Sequence, residues 1–589
     1  MKTFHTLLVG LLAAASSPHS VFAQSLPAAA DTRCVELKII ETSDVHGHFF
    51  PYDFIEKTPI KGSLSRVNTY VSRQREKFGD NLLLIDNGDI LQGQPVNYWS
   101  NFVDVDHENV AARVVNYMGY TAQTVGNHDI ETGHAVYDKW IREVRCPALG
   151  ANIVDEKSRQ PYVKPYVVVE RQGVRIAILG MITPTISSWL SRNIWSGLEF
   201  TEMVSTARYW VDRIKANEDA DLIVGLFHSG WSGGICADGL EEDATERVAK
   251  EVDGFDIIFF GHDHQRHNFI VDGPKGTRVV CLDPSCYAEY VAEATITLEL
   301  KGDEIVRRDI KGQLVSVADE ATDEQMVSHF DADIQAVKEY VDRRIGRMGR
   351  AMTTRDCYFG PSSFTDFIHS LQLSLTDAEI SFNAPLSFNT TIEEGEITVA
   401  DMFKLYRFEN NLCVVKMRGD EVRKHLEESY DRWVNTMQRA DDHLLLLESA
   451  TKDDQQRTGF KNYTFNFDSA AGIDYEVDVT KPHGKKVTIL RMSDGTPFDS
   501  NRWYRVVMNS YRANGGGELL TKGAGIDQDS LESRIVYRSE RDLRYYLMQE
   551  IERRGEVVPQ VGNNWRFVPE KWTRPAAKRD RMSLFGRLD

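Results

Sequence analysis

Residues 35–47 read VELKIIETSDVHG: the aliphatic run Val35–Ile40 passes straight into the polar loop Thr42-Ser43-Asp44-Val45-His46-Gly47. Short apolar runs bounded by turn residues read as buried strands. The same arrangement recurs four more times. Leu82–Ile85 leads into Asp86-Asn87-Gly88-Asp89, and Thr121–Val125 into Gly126-Asn127-His128-Asp129. Leu222–Phe227 leads into His228-Ser229-Gly230, and Ile257–Phe260 into Gly261-His262-Asp263-His264. Two further runs, Val174–Leu179 and Arg278–Leu282, lack such a loop, and helical periods at Leu64–Lys77, Val103–Met118 and Met203–Ala216 lie between. Strands alternating with helices predict a layered α/β domain over residues 35–320. Sheets of this kind place ligand groups at the carboxyl ends of their strands. Five loops rich in His, Asp and Asn then converge on one edge.

Imidazole and carboxylate donors suit Zn, Mn or Fe. Two such ions, about 3.5–4 Å apart, can clamp a phosphoryl group and activate a water between them. Asp44 and His46, two apart on an extended segment, face the same way with Val45 opposite, so both reach one ion. Gly47 lets the chain turn away. His262 and His264 share this spacing but lie on a turning loop, where they can serve different ions. The two oxygens of Asp89 can bridge a pair. Any one of these loops alone is more often a satisfied polar turn or a helix cap. All five in order point to a two-metal centre.

The chain has 589 residues, with 69 Lys+Arg against 88 Asp+Glu and a formal charge of −19. That balance argues against a nucleic-acid polymer or an anionic membrane as partner, since both need a positive footprint. A small anionic ligand is still allowed, because a metal reverses the local field. At the N-terminus, Lys2, the apolar run Leu7–Ala15 and Val21-Phe22-Ala23 predict a secretory signal peptide over residues 1–23. The expected location is periplasmic, or the cell envelope or extracellular space. No later apolar run is long enough for a membrane span. Seven cysteines without a C-x-x-C pair exclude a disulfide scaffold. Cys281 and Cys286 are close enough to pair, with buried thiols as the alternative. A charged helix, Asp323–Met348, predicts a linker over residues 323–350. An α+β domain is expected over 351–572, with helices near Ser363–Leu375, Val399–Leu405 and Gly419–Val434. The basic, polar stretch Thr573–Asp589 is expected to be a loose tail.

Four stretches of the second half complete the pattern: Ile380–Asn389 (ISFNAPLSFN), Ile397–Asn411 (ITVADMFKLYRFENN), Asn466–Tyr475 (NFDSAAGIDY) and Asn509–Gly517 (NSYRANGGG). With the five loops, they resemble the 5′-nucleotidase family of calcineurin-like metallophosphoesterases over nearly the whole chain after residue 23. The resemblance implies an α/β four-layer αββα metallophosphatase sandwich followed by a smaller α+β nucleotide-recognition domain that rotates on the linker. It implies two divalent ions, one held by Asp44, His46 and His264, the other by Asn127, His228 and His262, with Asp89 bridging. His128 then lies beside the reacting phosphoryl group, a role suited to a group titrating near neutral pH. Glu131 stands where the family orients that histidine with Asp, and Asp129 is the alternative. Phe467 and Tyr511 match two aromatic rings that sandwich the base, with Gly515-Gly516-Gly517 giving close backbone approach.

The family's Gly-rich segment ending in Arg is replaced here by Asn383-Ala384-Pro385-Leu386-Ser387-Phe388-Asn389. This stretch and Asn509–Gly516 look more like the 2′,3′-cyclic-nucleotide 2′-phosphodiesterase/3′-nucleotidase branch. A cyclic diester carries one negative charge where a monoester carries nearly two, so it needs fewer arginine clamps. Asn383 and Arg512 are the expected substrate contacts, and Arg355, Arg407 or Arg512 could replace the missing arginine. The expected function is an exported, metal-dependent nucleotide phosphohydrolase of nucleotide catabolism. A 5′-nucleotidase/UDP-sugar hydrolase and a non-catalytic nucleotide-binding surface protein are the alternatives. The metals, the preferred base and the oligomeric state stay open.

Overall fold

Alternating aliphatic side chains decide the first domain. From the strand Thr32–Thr42, Val35, Leu37 and Ile39 point one way, where they meet Leu83 and Ile85 of the neighbouring strand. Facing them in the same buried cluster are Ile176, Ile178, Leu222, Val224, Leu226, Ile257 and Phe259 of a second sheet. Burying one such side chain stabilises by about 1.5–3 kcal/mol, so this apolar layer, not the polar edge above it, holds the domain together. On the outer faces, Ile40 and Leu84 pack under helices Leu64–Phe78 and Val110–Met118. Leu179 and Ile223 pack under helices Met203–Asn217 and Thr245–Glu251. The layers are helix, sheet, sheet, helix.

The computed structural model describes residues 32–237, 239–448 and 459–586. The expected signal peptide lies outside them. Each sheet has six strands. The first runs Glu304–Ser316, Tyr290–Lys301, Thr32–Thr42, Leu82–Asp86, Ala122–Thr124, Ala148–Leu149. The second runs Arg266–Asp272, Arg278–Pro284, Ile257–Phe260, Leu222–His228, Val174–Ile182, Tyr166–Arg171. Within each sheet the strands that carry the five loops pair in parallel with one another, so their carboxyl ends share an edge. Two bonds lock the sheets together there: Thr124 Oγ1 donates to the Leu226 carbonyl (3.1 Å) and Asn87 Nδ2 to that of Phe227 (3.0 Å).

The second domain is built on a five-stranded sheet ordered Ser469–Ala471, Ile380–Asn383, Trp503–Asn509, Asn411–Arg418, Ile535–Asp542. Helices Ser363–Leu375, Val399–Leu405 and Gly419–Trp433 pack around it, as the sequence predicts. All seven cysteines are free. Among the described residues, no helix is long and apolar enough to cross a membrane.

Three expectations need correction. The helix expected at Val103–Met118 begins only at Val110, because Asn109 caps its start by accepting from the Ala111 N–H (2.9 Å). The linker is also shorter than residues 323–350. Its helices are Glu324–His329 and Asp331–Asp342, and the chain then enters a strand, Arg344–Met348, paired with Gly395–Thr398 and Glu556–Val557. Finally, the tail is not loose. Glu570–Phe585 is a helix whose Thr573, Ala576 and Asp580 are buried at helical spacing while Lys571, Arg574, Lys578 and Arg579 face water. Asp580 accepts from the N–H groups of Leu444 (2.8 Å) and Leu445 (2.9 Å), which ties the helix to the second domain.

Candidate metal centre and interdomain cleft

Five of the seven expected ligands have left-handed backbone: Asp44 (φ 50°), His46 (47°), Asp89 (57°), His262 (80°) and His264 (57°). The Asp44–His46 segment is therefore a turn, not the extended stretch expected from spacing. A non-glycine residue in this region costs about 1–2 kcal/mol, and such strain persists only where the surroundings impose it. They do so here. Asp44 N–H donates to the Gly88 carbonyl (3.1 Å), His46 N–H to that of Asp89 (3.0 Å), and His262 N–H to Asp44 Oδ2 (3.0 Å). At Gly261, a Cβ would overlap Ser43 Oγ and Asp44 Oδ2, so only glycine lets these two loops meet.

The side chains then converge as two clusters. In the first, His46 Nε2 and His264 Nε2 are 3.2 Å apart and Asp44 Oδ1 is 3.3 Å from His264 Nε2. In the second, His228 Nε2 lies 2.9 Å from Asn127 Oδ1 and 3.2 Å from Asp89 Oδ2, with His262 beside them. Asp89 Oδ2 is also 3.9 Å from His46 Nε2, so one oxygen faces both clusters.

The donor set fits cations. A carbonyl can only accept, so His46 Nδ1–H donates to Gln92 (3.1 Å) and His228 Nδ1–H to Asn87 (2.6 Å). That fixes both tautomers with a bare Nε2 lone pair turned into the site. Asp44 Oδ1 is buried and accepts no hydrogen bond. Burial, helped by the charges of His264 and His128 against that of Asp89, pulls His46 down to about 3. Burial also opposes the charged forms of His262 and His264, yet Glu242 and Asp243 raise His262 to about 9, and Cys286 and Asp44 raise His264. Protons and metal ions therefore compete for this site.

Glu131, not Asp129, is hydrogen-bonded to His128. Its Oε2 accepts from His128 Nδ1 at 2.5 Å. Burial disfavours the imidazolium, but the carboxylates of Asp89 and Glu131 outweigh it and hold His128 up at about 9. Asp129 instead organises the loops. It is fully buried and accepts from the N–H groups of Asp89 (2.9 Å), Ile90 (2.9 Å), Leu91 (2.8 Å) and Gly126 (2.8 Å). Sequence reading missed Glu242, whose Oε1 is 3.1 Å from His262 Nε2. The acidic strand Leu240–Asp243 carries no signal that it folds back on the metal loops.

Beside the clusters, Glu131, Trp189, Ser191, Glu409, Asn410 and Tyr511 line a cleft between the domains, and Trp189 stacks on His262 (centroids 6.0 Å). Tyr511 is half-buried at its wall. Phe467 is elsewhere: it is fully buried and stacks on Trp433 (centroids 5.5 Å, planes 3° apart). The ring at the edge of Tyr511 is Phe465, at 6.0 Å. Residues 464–466 form a tight 3-10 turn, so spacing alone does not tell which ring turns inward. Arg512 is also committed to the protein. It is buried, and its Nε donates to Asp468 Oδ2 (2.9 Å) and its Nη2 to the Phe465 carbonyl (2.8 Å). Asn383 ends a strand with its amide buried and unpartnered.

Residues 37–266 match the calcineurin-like phosphoesterase family, and residues 337–522 match the 5′-nucleotidase C-terminal domain. The chain belongs to the 5′-nucleotidase family of calcineurin-like phosphoesterases. It is thus a hydrolase of phosphoric esters that works with divalent metal ions. The 2′,3′-cyclic-nucleotide 2′-phosphodiesterase/3′-nucleotidase of Salmonella typhimurium is 26% identical over 93% of this chain and 91% of that protein. A trifunctional nucleotide phosphoesterase of Bacillus subtilis is also 26% identical, and this chain spans 39% of its length. Among solved structures, a 5′-nucleotidase precursor from Thermus thermophilus has a TM-score of 0.61 at 20% identity, covering 91% of this chain and all of that one.

Proposed function

We propose that this nucleotide phosphohydrolase opens 2′,3′-cyclic nucleotides and removes the 3′-phosphate that results, outside the cytoplasm. The observation that carries the reading is one cleft lined by Tyr511 of the second domain and, from the first, by Glu131, which grips His128 beside His46, and Trp189, which stacks on His262. Asp44, His46 and His264 would hold one divalent cation and Asn127, His228 and His262 a second, with Asp89 within reach of both; such ions would supply positive charge to phosphoryl oxygens and acidify water. His128, protonated at neutral pH, presents its Nε2–H to the leaving oxygen while Glu131 holds Nδ1. Tyr511 offers a ring face to the base, with the Phe465 ring at right angles beside it.

Few arginines are free to clamp a second negative charge. Arg512 is committed to Asp468, and Arg355 Nε donates to Asn389 Oδ1 (2.5 Å). Arg407 is exposed and adds its charge at His48. A singly charged cyclic ester suits that supply better than a dianion. The leader pattern at residues 1–23 supports export.

Phosphate release from 2′,3′-cyclic AMP, 3′-AMP, 5′-AMP and UDP-glucose, with manganese and with chelator, tests the reading. For the cyclic ester, added phosphatase reveals ring opening. Chelator-sensitive opening of the cyclic ester is expected to be fastest. Dominance of 5′-AMP would reject the branch while leaving the metal centre standing.

The two rings separate binding from packing. Phe465→Ala is expected to raise KM for a nucleotide about tenfold with little change in melting temperature, since base stacking is worth about 1–3 kcal/mol. Phe467→Ala is expected to lose about 3–5 kcal/mol of stability, as buried aromatic deletions do. The reverse pattern would restore Phe467 to the cleft.

A further inference from the structure

Glu409 is a buried carboxylate with one oxygen left over. It sits between helix Val399–Leu405 and strand Asn411–Arg418, and its side chain is 7% exposed. Arg544, itself 1% exposed, stands behind it with Nη1 3.6 Å from Glu409 Oε1. That guanidinium is fixed in turn: Nε donates to the Tyr406 carbonyl (3.1 Å), Nη2 to that of Arg407 (2.9 Å), and its face covers the Phe403 ring at 4.0 Å. Glu409 Oε2 is buried and accepts nothing. A buried carboxyl oxygen without a partner is costly, and Glu409 lines the interdomain cleft. The missing donor is therefore one that a ligand brings.

A nucleotide offers three kinds of group. Phosphoryl oxygens are acceptors and negative, so a carboxylate repels them. The base faces Tyr511, and the phosphoryl group faces His128 and Glu131. Glu409 lines the same cleft as both Glu131 and Tyr511, and the sugar is what joins phosphate to base. Its hydroxyls are donors, and carboxylates accept from ribose hydroxyls in dinucleotide sites for the same reason. We infer that Glu409 accepts a hydrogen bond from a free sugar hydroxyl of the nucleotide, and so sets which sugars the enzyme takes. The inference rests on the nucleotide reading above.

The test compares kcat/KM of the manganese-loaded enzyme for 3′-AMP, 2′-deoxy-3′-AMP and 5′-deoxy-3′-AMP. Wild type is expected to penalise one of the two deoxy analogues by about tenfold to a hundredfold, the range for a hydrogen bond to a charged group. In Glu409→Ala that penalty should shrink to within about threefold, while the other analogue's ratio is unmoved. Glu409→Gln keeps an acceptor oxygen and should recover part of the discrimination. An undiminished penalty in the alanine variant, or no penalty in wild type, overturns the assignment. Calorimetric binding of adenosine and its 2′- and 5′-deoxy forms to the same proteins needs no turnover. If no nucleotide is hydrolysed, hydroxyl discrimination that depends on Glu409 in binding keeps the assignment and rejects only the proposed reaction. Its absence there rejects both. Melting curves of each variant confirm that the fold is intact.

Discussion

Asp89→Asn lowers kcat/KM on every phosphoester substrate by about a thousandfold or more, equivalent to about 4 kcal/mol of lost transition-state stabilisation. The side chain does two jobs with its two oxygens. Oδ2 faces both clusters, 3.2 Å from His228 Nε2 and 3.9 Å from His46 Nε2. Oδ1 accepts from the His128 N–H at 2.8 Å, which seats the first turn of the helix Asn127–Glu131. Asparagine keeps the shape and one acceptor oxygen, so the fold survives. It removes the negative charge that would hold divalent cations at the two clusters, and it removes the largest attraction holding His128 protonated. Metal analysis of the purified variant should therefore show one ion per chain or fewer where wild type holds two. Near-wild-type turnover with full metal content would refute a shared role for this carboxylate.

Much of this centre was legible because its grammar is local. A strand must end, its last residues must be polar, and sheets of this type turn those residues toward one edge. The five loops could be picked out on that basis alone, while the assignment of Asn127 and His228 as ligands came only from the family resemblance. The backbone sign could not be. Nothing in Asp44 or His46 says that both residues are left-handed, because that conformation is imposed by partners 40 or more residues away, such as the Gly88 and Asp89 carbonyls. Charged side chains were ambiguous for a related reason. Glu131, Glu242 and Glu409 read alike in the sequence, yet one grips His128, one reaches His262 and one keeps an oxygen for the cleft. The terminal helix misled by composition: its basic residues are real, but they occupy only the outward face. Phe465 and Phe467 show the limit most plainly. Two aromatic residues lie two positions apart, and only the presence of Trp433 beneath the chain decides which one is core.

Arg512 is the sharpest case, since a guanidinium aimed at a substrate and one aimed at the protein look the same in sequence. Here it donates to Asp468 and to the Phe465 carbonyl, and Asp468 also accepts from His425 Nε2 at 2.8 Å. Burial alone would push the Asp468 carboxyl up, but the Arg512 guanidinium and His425 hold it below its ordinary range. Removing one partner of a buried pair strands the other, at about 3–5 kcal/mol. Arg512→Ala should therefore lower the melting midpoint of the second domain by about 10 °C at neutral pH. The sign of the pH dependence follows from the depressed carboxyl. In wild type its contribution is present above the ordinary carboxylate range and is lost as pH falls through the folded value. Protonated Asp468 no longer needs a cation, so the deficit of the variant should narrow in acid. Asp468→Asn in the same chain should recover part of the loss, because the stranded charge is gone. Nucleotide KM would rise too, since the loop that carries Phe465 loses its anchor. An Arg512→Ala protein that melts like wild type but binds nucleotide poorly would instead make this arginine a direct substrate contact.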